Sequence, residues 1–394
     1  MASVFYTAQK TIKNYASGGN VLIFATALAL LVVNLPFTRE IYESIWLNEV
    51  ELRVGDFNLF SHHGAPMSIM AFINDALMAL FFFSVGLEIK REVLVGELSS
   101  FRNALLPIIA AIGGMGVPVL IYWFMSKGTA YAGGAAIPMA TDIAFSLGVL
   151  AMLGNRVPIG LKVFLTTLAV VDDIGGIIVI AAFYSTHIDY MLLLYAAACM
   201  LVLFVGGKLG IQSKMFYVFL GAVVWFCFLN AGIHPTIAGV LVAFCVPAKP
   251  VYAPMKYIKT IRQNISFFAH EDDEHLNSRT ILSKEQMNWL KEIESSSDKV
   301  ISPLQDMEDT LHPLVNYIIV PLFAFANAGI FFGNMEISQL FHGIAPAIIV
   351  SLIGGKFLGI FLFAALCILL KWAPMPEGST WGSLAAVSLL GGIG

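Results

Sequence analysis

The sequence predicts an all-α, polytopic membrane protein, and three observations predict it. First, 58% of its 394 residues are hydrophobic and only 12% are charged, with a mean hydropathy of +0.81; that balance requires lipid as solvent. Second, apolar runs long enough to span ~30 Å at ~1.5 Å per residue recur at about 18–37, 67–88, 104–125, 133–153, 159–183, 189–207, 214–230, 232–247, 312–332 and 341–370, and an eleventh begins near 381. Third, Lys and Arg segregate. With the amino terminus in the cytoplasm and sides alternating, Lys10, Lys13, Lys90, Arg91, Arg102, Arg156, Lys162, Lys208, Lys214, Lys371 and every basic residue between 248 and 311 fall inside. Only Arg39, Arg53 and Lys127 fall outside, as the positive-inside rule expects.

Taken in order, the polar amino-terminal stretch MASVFYTAQKTIKNYASGGN does not read as a cleavable signal peptide. The whole of 1–394 reads as a single transmembrane domain with two segments outside the bundle. Residues 38–66 form an extracytoplasmic loop in which ELRVGDFNLF alternates around Gly55-Asp56, predicting a β-hairpin. Two strands are marginal alone, so the loop is expected to pair with a second copy in a homodimer, or else to lie on its own protein. Residues 250–310 form a cytoplasmic insertion, acidic at HEDDEH. A helix is expected from Ser283, with a Ser283/Gln286 capping box and Met287, Leu290 and Ile293 on one face. Cys199, Cys227, Cys245 and Cys367 all lie in apolar runs, where a thiol acts as a small hydrophobe. They form no disulfide or metal spacing, and no basic patch for nucleic acid occurs.

The run 133–153 opens with Gly133-Gly134, and Pro138 lies four residues before Asp142. Proline removes a donor and disfavours helix before it, so a broken helix is expected here. The last run reaches its own glycine cluster at Gly391-Gly392. Broken backbone at membrane depth is tolerated only around a cavity or site. One interrupted segment in each half is the mark of an inverted-repeat secondary transporter with broken crossing helices.

The charges inside the apolar runs carry the functional reading. Asp172 and Asp173 sit in LKVFLTTLAVVDDIGGIIVIAAFY, Asp142 in AIPMATDIAFSLGVL and Lys356 in IIVSLIGGKFLGIFLF. Ionisable groups in the membrane are functional by default. Neighbouring helix residues point ~100° apart, so one aspartate can line a cavity while the other meets Lys356. That pair could be part of the machinery or a brace between two helices. Asp173 and Asp142 then avoid isolated negative charge only by binding protons or a metal cation, as a coupled unit. Proton and cation compete for the same oxygens, which is the basis of exchange. Hard oxygen ligands, with the Thr141 hydroxyl and freed carbonyls completing the shell, favour sodium or lithium over a soft metal.

Together with INDALMALFF, GLEIKRE, TDIAFSLGVL, LAVVDDIG, GIHPTIAGV, LHP, PLFAFANAG and GKFLG, in that order and spacing, these residues resemble the NhaA family of bacterial sodium/proton antiporters over nearly the whole chain. The resemblance implies a twelve-helix inverted-repeat fold in the bacterial inner membrane, here truncated in helix 11. It implies electrogenic exchange, protons inward and sodium or lithium outward, with no cofactor and no enzyme activity. Asp173 looks like the principal ion and proton ligand, Asp172 its companion and Lys356 the companion's partner. Which of Asp172 and Lys356 carries a proton stays open. Asp142 and Lys356 would offset the dipoles of the broken helices. Glu88, Arg91, Glu92, Glu308 and His312 match the family's pH-regulating cluster at the cytoplasmic mouth, where a snorkelling salt-bridge rim is the other reading. His234 resembles a histidine linked to pH response. Phe357 stands where proline is usual, and Pro235 where a small residue is common. Competing classes are an intramembrane aspartyl protease, opposed by the lack of any Gly-x-Gly-Asp, a passive cation channel, and a sodium-coupled symporter.

Overall fold

The computed structural model describes residues 18–392 except 56, 63, 140, 142–145, 147, 148, 151, 152, 154, 155, 184–187, 251–253, 269–281, 335–340 and 342. The described residues open with α1 (Gly18–Asn34) and α2 (Arg39–Leu47), bent by 113° at the break between them. Pro36 lies in that break, where proline disfavours helix in the residue before it. Short strands follow: β1 (Glu49–Val50), β2 (Arg53–Val54), β3 (Phe57–Asn58), β4 (Ser61–His62) and β5 (Ala65–Ser68). β2 and β3 pair antiparallel, Arg53 opposite Asn58 and Val54 opposite Phe57, with Gly55 at φ 64 in the left-handed region that the turn needs. β5 lies between β1 and β4. This loop is seated on its own helices: Phe60 packs edge-on to Phe72 and Trp225, and the Asn230 side chain donates to the Ser61 carbonyl at 3.3 Å.

The membrane helices are α3 (Ile69–Val95), α4 (Phe101–Ser126), α5 (Ile159–Phe183), α6 (Tyr190–Lys208) and α7 (Lys214–Ala231). After the short α8 (Thr236–Cys245) come α9 (Pro254–Phe268) and α10 (Lys284–Val300), then α11 (Pro303–Asn327), α12 (Ile344–Leu369) and α13 (Trp381–Leu390). Among the described residues, seven helices are long and apolar enough to cross a membrane, or eight if α1 and α2 count as one span. The molecule is thus a multi-pass, all-α membrane protein.

Several bounds differ from the sequence reading for local reasons. The run at 232–247 yields helix only from Thr236, because Gly232 at φ 80 ends α7 and Pro235 precedes α8. The run at 312–332 belongs to a helix that starts at Pro303, where the Ser302 hydroxyl accepts from Gln305 N and proline takes the first turn. Within 133–153, the described residues between Ala132 and Met139 form two isolated 3-10 turns, Ala132–Gly134 and Ile137–Met139. In α10 the Ser283/Gln286 capping box is present. The buried side of α10, however, carries Gln286 and Ser296, while Met287 and Leu290 are 42% and 40% exposed.

Two glycine-mediated crossings organise the bundle. In α4 and α12 a Cβ on Gly113 would land on the Gly359 carbonyl and the Phe363 ring, and one on Gly359 would land on Gly113's backbone. Close backbone approach of this kind is how membrane helices associate without a hydrophobic drive between them. The second crossing joins α3 to α8, where a Cβ on Gly239 would meet the Ala79 carbonyl and one on Gly86 the Ala243 methyl. Gly359→Ala is therefore expected to cost about 1–3 kcal/mol of stability by overpacking, read as a lower melting temperature of the detergent-solubilised protein. Gly116→Ala on α4, with nothing within 4 Å of its added Cβ, is the control and should show no loss.

Candidate functional site

Asp172 and Lys356 meet in the middle of the bundle. Asp172 lies on α5, and Gly175 one turn on lets α5 close against Met115 of α4. Lys356 follows a π-helical turn, Val350–Gly355, in α12; such wide turns displace the residues after them and cluster at functional sites. Gly355 lies where a Cβ would be 2.9 Å from Pro118 Cα, so α12 enters close to α4 and carries the lysine inward. Its ammonium sits 2.7 Å from Asp172 Oδ2, the two side chains being 0% and 3% exposed.

Thr141 completes the centre. Its hydroxyl donates to Asp172 Oδ2 at 2.5 Å and accepts from the Lys356 ammonium, and the Gly391 carbonyl lies 3.3 Å away as an alternative acceptor. Ser146 donates to the Leu390 carbonyl at 2.9 Å. The interrupted run at 133–153 is thereby tied to the carboxy-terminal end of α13 and to the Gly391-Gly392 that follow it. Asp172 Oδ1 is buried and has no hydrogen-bond partner among the described residues. Asp173, the next residue around α5, is half-buried and within electrostatic reach of Asp172, Glu88 and Lys356. The expectations for Asp142 fall outside the described residues. The structure thus places Thr141 on Asp172 and Lys356. Among the described residues no group of three or more His, Cys, Asp or Glu is arranged to hold a metal ion, and the described oxygens in contact at the centre are those of Asp172, Thr141 and the Gly391 carbonyl.

A second cluster lies at the far end of α3. Arg91 contacts Glu308 Oε1 at 2.6 Å and Glu92 Oε1 at 3.3 Å. Glu88 is within electrostatic reach of Arg91, Glu92 and His312, and His312 contacts the Asn316 amide at 3.0 Å. His234 does not join them. It contacts the Thr236 hydroxyl at 2.7 Å and lies in electrostatic reach of Asp75, near the other end of α3. Asp75 and Arg91 are separated by roughly 24 Å of helix at 1.5 Å per residue. The reason is that α8 runs alongside α3 in the same direction: Gly239 lies on Ala79, Gly86 on Ala243, and Lys90 donates to the Phe244 and Val246 carbonyls.

Two features were missed in the sequence. Lys90 closes the carbonyl end of α8, and its basic type just past the apolar run at 67–88 was the available signal. Asn74 and Asn327 form a reciprocal amide pair at 2.9 and 3.4 Å between α3 and α11; both are polar residues within membrane-length runs, and that was the available signal.

The sequence model of the family described as Na+/H+ antiporter 1 matches residues 9–394. The protein named Na(+)/H(+) antiporter NhaA of Phocaeicola vulgatus is 54% identical over 394 residues, covering 99% of this chain and 86% of that protein. The protein of the same name from Bacteroides thetaiotaomicron is 49% identical over 392 residues, covering 98% and 88%. That of Helicobacter pylori is 43% identical over 391 residues, covering 98% and 85%.

Removing one partner of a buried ion pair strands the other. Lys356→Ala is expected to destabilise the protein by about 3–5 kcal/mol, whereas Asp172→Leu combined with Lys356→Met recovers most of that loss. Thermal melting of the solubilised variants checks this; additive losses in the double variant would contradict a coupled pair.

Proposed function

The chain belongs to the Na+/H+ antiporter 1 family, and from that membership and its buried centre we propose that it exchanges sodium or lithium for protons across the bacterial inner membrane. The observation that carries the reading is the Asp172–Lys356–Thr141 centre, with Asp173 beside it, at the point where the interrupted run meets the end of α13. Asp173 is the ion and proton ligand, and Asp142 and Thr141 contribute to the sodium shell. Cation and proton compete for one set of oxygens, and the empty, negatively charged site is costly to carry through the low-dielectric interior. Each crossing therefore occurs loaded, cation outward and protons inward. More than one proton per cation makes the exchange electrogenic.

A passive cation channel has no use for a fully buried lysine in its centre, and an aspartyl protease needs two acids on separate helices acting on one bond. The amino terminus lies in the cytoplasm on the distribution of Lys and Arg, and the part of the outer loop of residues 38–66 that is not seated on α3 and α7 is the surface through which two copies would meet.

In everted membrane vesicles, added sodium or lithium, but not potassium, is expected to collapse a preformed pH gradient, and Asp173→Asn to abolish the response. Ion-dependent proton movement that persists in this variant refutes the assignment. The Glu88, Arg91, Glu92, Glu308 and His312 cluster is proposed to set the pH range. Glu88→Ala and Glu308→Ala should each displace the activity-versus-pH curve of the same assay while leaving its sodium dependence in place. Superimposable curves would reduce the cluster to a salt-bridge rim.

A further inference from the structure

The helical hairpin of α9 and α10 is not used by the exchange site, and its surface is unusual. α9 carries Lys256, Lys259 and Arg262 and no acidic residue, while α10 mixes both signs. One flank of α9 faces α10: Tyr257 and Ile261 are half-buried and Asn264 is 5% exposed. Phe267 stacks near Trp289 at 5.5 Å, and the Lys299 ammonium lies 5.3 Å over the Tyr257 ring. The ordinary apolar stripe of the helix is therefore already occupied.

A second stripe remains. Met255, Ile258, Arg262 and Ile265 recur at intervals of three and four, so they share one flank, with Lys259 a turn beyond Met255. Met255, Ile258 and Ile265 are 64%, 39% and 53% exposed. An apolar line interleaved with cations is the pattern of a helix lying in the headgroup region of a bilayer. Both ends of the hairpin also connect within a few residues to the apolar helices of the bundle. α10 ends at Val300 and α11, a membrane-spanning helix, starts at Pro303. The Leu304 amide donates to the Pro247 carbonyl at 3.2 Å, which joins the start of α11 to the end of α8. α9 follows α8 after residues 246–253, at most about 28 Å of extended chain.

We propose that this flank of α9 docks on the anionic phospholipid headgroups of the membrane in which the protein sits. Its cations are within a Debye length of that surface when the apolar residues are inserted, so attraction and insertion reinforce one another. The proposal needs only the membrane location and is independent of what is transported.

The test is hydrogen exchange on the full chain, one copy per nanodisc, made of phosphatidylcholine with or without phosphatidylglycerol. Amides of 254–268 are expected to exchange about tenfold more slowly with phosphatidylglycerol, and to revert in molar salt. Lys259→Gln with Arg262→Gln should remove the slowing, as should Ile258→Ser with Ile265→Ser, while α10 keeps its protection. The wild-type salt comparison stands by itself if either variant disturbs the hairpin. Equal exchange in the two lipids overturns the proposal. So does slowing that survives both salt and loss of the charges, or slowing that arises only when several copies share a liposome, which would assign the flank to a second copy.

Discussion

A charged lysine at zero exposure inside a membrane protein is tolerable only beside a carboxylate, and much of this architecture follows from keeping Lys356 and Asp172 together. The pair spans 184 positions of sequence, so no local structure can hold it. Coulomb attraction alone does not secure such a contact either, because taking two ions out of water consumes most of what their attraction returns. What remains has to come from geometry: two helices fixed closely enough that neither ion finds water. The Gly113–Gly359 crossing supplies that, since backbone-to-backbone contact between α4 and α12 leaves no freedom for sliding. Gly175 leaves room for the Met115 side chain of α4 against α5, a contact of side chain on backbone rather than of two backbones. α4 is thus the common support, and both ions are presented from helices that lean on it.

Thr141 adds a constraint of a different kind. A hydroxyl has one hydrogen to give, and here two oxygens are placed to take it, Asp172 Oδ2 and the Gly391 carbonyl. A carboxylate is the stronger acceptor and makes the shorter contact, while the carbonyl brings the same hydroxyl up to the residue after α13. Ser146 on the Leu390 carbonyl adds a second tie to the same end. An irregular backbone segment inside a membrane needs such partners in any case; these partners are also attached to the ions.

The membrane class, most of the long helices and a buried carboxylate beside Lys356 were legible because each rests on cost. Long apolar runs and a lone buried base have few alternatives in lipid. Helix starts were less legible, because apolar content finds the membrane part of a helix and not its polar first turns; Ser302-Pro303 was the available sign for α11. The shared face of Met287, Leu290 and Ile293 announced α10 but not its rotation: Met287 and Leu290 are exposed, and Gln286 and Ser296 are buried. In a two-helix hairpin the contact with α9 decides the rotation, and hydrophobic periodicity sees only one partner. The place of His234 was not legible for a similar reason: motif identity carries no distance, and only the parallel packing of α8 on α3 brings it within reach of Asp75.

α3 connects what the sequence left separate. Asn74, Asp75, Glu88, Lys90, Arg91 and Glu92 all lie on this one helix, so it meets the His234 turn at one end, the Glu308 cluster at the other, and α8 in between. Glu88 is simultaneously within reach of the mouth cluster and of Asp173. Charges separated by protein and lipid are screened far less than charges separated by salt water. A proton gained or lost at Glu88 therefore alters the electrostatic potential at Asp173 with no helix having to move, and the Arg91–Glu308 pair sets how much of Glu88's charge is already balanced. Regulation by pH, under the proposed function, needs first a change of field and only then a change of shape.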